Sequence, residues 1–132
     1  MNNLRNKDEV ISLELLNEIN RYREMEYNYK VENNLKLGKV ELRNGKFTEL
    51  RHDTLLNIIK DEFEEEITNQ KILESEYKDS TGKKNQMYVL TLEQCKQVLM
   101  RESKFVRKGV LEYIHKLEEY IKNTQNSIDS KV

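Results

Sequence analysis

Apolar residues recur along this chain at two periods, and the changes between them divide it into elements. Ile11, Leu15, Ile19 and Tyr22 return every three or four residues, and Leu16 and Met25 widen the stripe. That spacing lies on one face of a helix. It predicts a helix from Leu13 to about Tyr29, with Ser12 as its N-cap. A polar loop follows at Asn33, Asn34 and Gly38. Val40, Leu42 and Phe47 then alternate with polar residues on either side of Asn44-Gly45. An Asn-Gly pair between alternating segments is the strongest short hairpin signal, because both turn residues must take positive φ. The pattern predicts a short hairpin over residues 39–50, with Val40, Leu42 and Phe47 facing the core.

The helical period returns with Leu55, Leu56, Ile59, Phe63 and Ile67. A helix from Arg51 to about Ile67 is expected, capped by Asp53. Glu74–Asp79 alternates weakly, Ser80–Lys84 has turn chemistry, and Met87–Thr91 is strand-like. These predict a second hairpin. Thr91 with Gln94 three residues on reads as a capping box. Its helix runs to about Glu102, with Leu92, Cys95, Val98 and Leu99 inward. Ser103 opens a last helix to about Lys122, with a stripe of Val106, Val110, Tyr113, Ile114, Leu117, Tyr120 and Ile121. Residues 1–9 and 123–132 are polar and read as disordered tails. The expected fold is one α+β domain over residues 10–122, with four main helices and two short β-hairpins.

Composition narrows the class. The chain has 132 residues, enough for a core without metal or disulfide help. It has no Pro and four Gly, so long helices can run unbroken. Its single Cys, Cys95, excludes an internal disulfide and reads as a small core residue. No apolar run approaches the roughly 20 residues of a membrane span. No membrane contact and a cytoplasmic location are therefore expected. Net charge is −1, but unevenly spread. Residues 50–80 hold four basic and nine acidic side chains, and residues 81–122 hold nine basic and five acidic. Basic surface is thus confined to the second hairpin and the last helices.

The chain shows no Gly-rich phosphate loop, no paired-Cys metal site and no nucleophile-base spacing. Neither an enzyme, a metal site nor a cofactor is expected. His52, beside Asp53, reads as a helix-start residue rather than a catalytic base.

From Leu50 onward the sequence resembles the phage regulatory protein Rha family. The matching words are Leu50-Arg51-His52-Asp53-Thr54-Leu55-Leu56, then Leu73-Glu74-Ser75-Glu76-Tyr77-Lys78-Asp79 and Asn85-Gln86-Met87-Tyr88-Val89-Leu90-Thr91. Tyr113-Ile114-His115-Lys116-Leu117-Glu118-Glu119 closes the likeness, which spans about residues 50–121. The resemblance implies a phage- or prophage-encoded regulator with a winged-helix fold that binds DNA. It places the start of the recognition helix at Arg51, His52 and Asp53, and the wing at Lys78–Asn85. Such proteins carry a helix before the Arg-His-Asp word. Here Leu42–Thr48 occupies that place and reads as a hairpin, so the positioning helix is expected to be lost or replaced.

Two functions follow as expectations. As a regulator bound to double-stranded DNA, the chain would turn Arg51, His52, Thr54 and Asn57 to the groove. Lys83, Lys84, Lys104, Arg107 and Lys108 would meet phosphates. A homodimer would form through the first helix, by Leu15, Ile19 and Tyr22. The alternative is a phage counter-defence protein, anti-CRISPR-like, that inhibits a host defence complex through protein contacts. Its acidic face would be Asp61, Glu62, Glu64, Glu65 and Glu66, acting as a nucleic-acid mimic.

Overall fold

In a computed structural model, which describes residues 8–129, the chain is a mixed α+β structure of six helices and one three-stranded antiparallel sheet. β1 (Glu9–Ile11) leads directly into α1 (Ser12–Glu32). Then come α2 (Lys39–Asn44), α3 (His52–Glu62) and α4 (Glu64–Thr68). β2 (Leu73–Lys78) and β3 (Lys84–Thr91) form a hairpin. α5 (Leu92–Val98), a 3-10 turn and α6 (Lys104–Asp129) complete the chain. The sheet order is β1-β3-β2, so the last strand lies in the middle.

The stripes read from the sequence become the core. Leu15, Leu16 and Ile19 of α1 pack with Leu55, Ile59 and Phe63. Tyr88 and Leu90 of β3 join them, as do Val106, Val110 and Ile114 of α6. Leu15 and Ile19 retain 1% and 0% of their exposure. They are therefore consumed by their own domain and cannot form the dimer contact expected of them. Tyr22 is also engaged within the chain, against Gly109 of α6.

Residues 39–50 do not form a hairpin. Lys39–Asn44 is a helix whose first turn is closed by Glu41, which accepts the Gly38 N–H at 2.9 Å. Gly45, at φ 67°, ends it in the left-handed region and donates its N–H to the Glu41 carbonyl at 2.8 Å. Asn44 stays helical. A two-residue hairpin turn needs two positive φ values, whereas a helix C-terminus needs only one, at the Gly. The Asn-Gly pair served the second purpose. Val40 and Leu42 accordingly do not face the core, and keep 39% and 66% of their exposure.

The long helix expected to Ile67 is also broken, at Phe63 (φ −125°, ψ 36°). A continuous helix would stack Asp61 on Glu65 and Glu62 on Glu66, like charges one turn apart. The helix ends at Glu62 before the second acidic group begins, and Arg101 grips Asp61 and Glu62. Phe63 itself is buried.

Other boundaries shift less. Ser12 is the first residue of α1 rather than its cap, and Arg51 rather than Asp53 occupies the N-cap of α3. The Thr91–Gln94 capping box forms as expected. Ser103 caps α6, accepting the Val106 N–H at 3.2 Å. The tail expected after Lys122 is helical to Asp129, since neither Pro nor Gly stops it. Glu9, placed in the other tail, pairs in β1. Asp8 of the same tail accepts the Leu92 N–H at 2.9 Å, and residues 1–7 and 130–132 lie outside the described residues.

α1 and α6 run antiparallel, with Tyr29 against Phe105 (ring centroids 5.9 Å apart) at one end and the Tyr113 hydroxyl bonded to Glu14 at the other. Between them Gly109 lets Tyr22 approach. A Cβ built there would stand 2.2 Å from the Tyr22 ring. Gly109→Ala should therefore destabilise the fold by about 1–3 kcal/mol in urea unfolding, despite the better helix propensity of Ala. In a Tyr22→Ala background the same change should cost less or stabilise. A stabilising Gly109→Ala in the native background contradicts this packing.

Candidate nucleic-acid interface

α2 and α3 are consecutive helices joined by residues 45–51, and the β2–β3 hairpin follows them. The joining loop is fixed to α1 by two sets of bonds. Asn20 accepts the Leu50 N–H at 2.7 Å and donates to the Leu50 carbonyl at 2.9 Å. Arg23 donates to the Thr48 carbonyl at 3.0 Å and grips Glu102 with two bonds, at 2.9 and 2.8 Å. Glu102 is buried, so the pair is shielded and directional.

The start of α3 is held by a second cluster. Ser12 is fully buried, and its hydroxyl accepts the Tyr88 N–H at 3.0 Å. β1 and β3 are paired up to Ile11–Val89, so the hydroxyl extends that ladder by one residue as the strand becomes a helix. The same hydroxyl lies 3.0 Å from His52 Nε2, and His52 Nδ1 lies 3.3 Å from the Tyr77 hydroxyl. A neutral imidazole offers one donor and one acceptor nitrogen, and both ring nitrogens of His52 are engaged, one by each hydroxyl. Burial lowers the His52 pKa below its ordinary 6.5, against the pull of the Asp53 carboxylate.

The hairpin tip is the five-residue loop Asp79-Ser80-Thr81-Gly82-Lys83, with Gly82 at φ 85°. Asp79 organises it. Its carboxylate accepts from the Thr81 N–H and hydroxyl, the Lys83 N–H and the Asn85 amide. These bonds, the Thr81 hydroxyl first, lower the Asp79 pKa to about 2. Lys83 and Lys84 beside it are exposed.

The expected DNA contacts fall into separate groups. Arg51, Thr54 and Asn57 are exposed on α3. His52 does not share that face; it turns inward to Ser12 and Tyr77. Lys83 and Lys84 sit at the hairpin tip, tied to the same end of α3 through the His52–Tyr77 bond. Lys104, Arg107 and Lys108 are not brought to that tip. They follow Arg101, which holds the opposite end of α3. Arg107 is half-buried and donates to the Glu102 carbonyl at 3.2 Å. The expected acidic face is divided too. Asp61 and Glu62 are held by Arg101, and Glu64, Glu65 and Glu66 belong to α4.

Sequence reading missed Ser12, Tyr77 and Asp79 as structural partners, and Arg23 with Glu102. Asp79 had a local signal, Asp-x-Thr-Gly turn chemistry. Ser12, His52 and Tyr77 are separated by 40 and 25 positions and had none.

The His52 junction makes stability pH-dependent. The unfolded imidazole takes a proton near 6.5 and the folded one lower, so the stabilisation is complete above 6.5. It is lost progressively as pH falls from 6.5 toward the lowered value. His52→Gln should flatten that loss, measured as urea midpoints between pH 7.5 and 5; an unchanged slope contradicts the assignment. The Asp79 carboxyl should titrate near 2 by carbon-detected NMR. Its contribution to stability is present above the ordinary 3.8 and lost as pH falls to about 2. A midpoint at the ordinary value contradicts the tip geometry. No protein-family model, no curated protein and no solved structure matches the chain.

Proposed function

We propose that this chain is a double-stranded-DNA-binding regulator of winged-helix type, akin to the phage Rha regulators that residues 50–121 resemble. The observation that carries the reading is the helix at Lys39–Asn44. It supplies α3 with a preceding helix, where the sequence pattern had pointed to a hairpin. Helix, turn, helix and basic-tipped hairpin then follow in the order a winged helix uses to meet a duplex. The recognition element is α3, and the hairpin is the wing.

Charge supports the same reading. The acidic run no longer continues along α3. Asp61 and Glu62 are offset by Arg101, and Glu64–Glu66 belong to a separate helix that starts after the break at Phe63. The first two turns of α3 expose Arg51, Thr54 and Asn57. In this role Lys83 and Lys84 meet phosphates from the wing. Lys104, Arg107 and Lys108 play no part in the same contact. Partnership with a second copy, where it occurs, uses a surface other than Leu15 and Ile19.

The counter-defence reading rests on Glu64 and Glu65, which are exposed with no ion-pair partner among the described residues. With Asp61 and Glu62 neutralised, the acidic surface it needs is smaller than the sequence promised.

Fluorescence anisotropy with labelled duplex at about 50 mM salt tests the proposal. Micromolar protein should bind, and log affinity should fall with log salt. Lys83→Ala with Lys84→Ala should weaken binding to all sequences alike and flatten that slope by about 2. Absence of binding at micromolar protein rejects the reading. Capture of a host defence protein, lost on reversing Glu64, Glu65 and Glu66, would replace it with the alternative.

A further inference from the structure

Resting on that reading, we propose which bases α3 recognises: Arg51, steadied by Asp53, reads a guanine, and Asn57 reads an adenine two to three base pairs away. Arg51 Nη2 donates to Asp53 Oδ2 at 2.9 Å, and both side chains are largely exposed. One of the five guanidinium N–H donors is used in this way, and the remaining fork is free for two parallel bonds. Guanine offers O6 and N7 as matching acceptors in the major groove. Holding a long, flexible side chain before contact removes part of the ordering cost of making it.

The chemistry of the pair separates base reading from phosphate anchoring. Arg51 and Asp53 together carry no net charge. A phosphate contact depends on net positive charge and loses most of its strength beside a carboxylate. A bidentate hydrogen bond to a base edge depends on direction, and survives that neutralisation. Asp53 also disfavours placing this end of α3 against the backbone rather than in the groove.

Asn57 is exposed, and its amide has no hydrogen-bond partner among the described residues. A free carboxamide presents one acceptor and two donors, which match adenine N6 and N7. Arg51, Thr54 and Asn57 are three residues apart, so successive members are neighbours about 60° apart and the set winds over about 120° of the helix surface. Arg51 and Asn57 are about 9 Å apart along the axis. At about 3.4 Å per base pair, that spans two to three steps. Thr54 between them discriminates weakly, because its hydroxyl can serve either hydrogen-bonding sense. Asp61 follows on the same side and is held by Arg101, which limits its repulsion at the groove edge.

Selection of the full chain on a randomised duplex library tests the assignment. The wild type should enrich a motif with guanine and adenine two or three positions apart. Asn57→Ala should lose discrimination at the adenine by roughly tenfold and leave the guanine unchanged. Arg51→Gln with Asp53→Asn keeps the net charge and replaces the fork with a carboxamide. It should move the preference at the guanine position toward adenine, with the salt slope unchanged. Circular dichroism should show both variants folded, since the substituted side chains are exposed. An enriched motif that is the same in wild type and variants overturns the assignment. So does duplex binding without any enriched motif, and in both cases the DNA-binding reading stands. Failure of the wild type to retain any duplex overturns both.

Discussion

The hydroxyl of Ser12 stands where three parts of the chain meet. It is fully buried, accepts the Tyr88 N–H of the central strand, and reaches His52 at the start of α3. Through His52 it also reaches Tyr77, near the end of β2. One small side chain thus closes the sheet, starts the first helix and sets α3 beside the hairpin. An apolar residue there would leave a buried backbone N–H and an imidazole nitrogen unpaired, the costly outcome for a buried polar group. That constraint explains a polar residue inside an otherwise apolar core, and an inward-facing histidine at the start of the proposed recognition helix.

The opposite side of the helix pair is held differently. Arg23 joins buried Glu102 to the Thr48 carbonyl, and Asn20 clasps both backbone groups of Leu50. An ion pair with a buried carboxylate adds less to stability than its Coulomb energy, because Glu102 is desolvated while Arg23 stays partly exposed. Its strength here is directional, since it fixes the course of a loop that buries only Leu50. The α2–α3 loop is therefore set by polar bonds to α1, and α3 by apolar packing beneath it. A surface that must present side chains in fixed positions needs such support.

Much of this fold was legible in the sequence. The stripes through Leu15, Ile19, Ile59, Val110 and Ile114 are core, and the Thr91–Gln94 box and the second hairpin lie where their patterns put them. What failed was ambiguous in physical terms. Gly45 satisfies a helix end or a hairpin turn with the same positive φ, and a six-residue helix shows too little periodicity to decide. A stripe such as Leu15 and Ile19 does not say whether it meets its own core or a second copy. The apolar stripe runs on through Phe63 and Ile67, so nothing in its period marked the break at Phe63, and the Arg101–Asp61 pair spans forty positions. Of the candidate site, Arg51, Thr54, Asn57, Lys83 and Lys84 were named from sequence, and all are exposed. His52 was misplaced because its partners are remote in the chain.

The account depends on α3 and the hairpin tip forming one DNA-facing surface. Amide chemical-shift mapping of isotope-labelled protein during titration with duplex examines that surface residue by residue. Shifts should concentrate at Arg51–Asn57 and Asp79–Lys84, and spare Glu64–Thr68 and the start of α6. A spectrum unmoved by duplex, or one perturbed mainly at Lys104–Lys108, would contradict it.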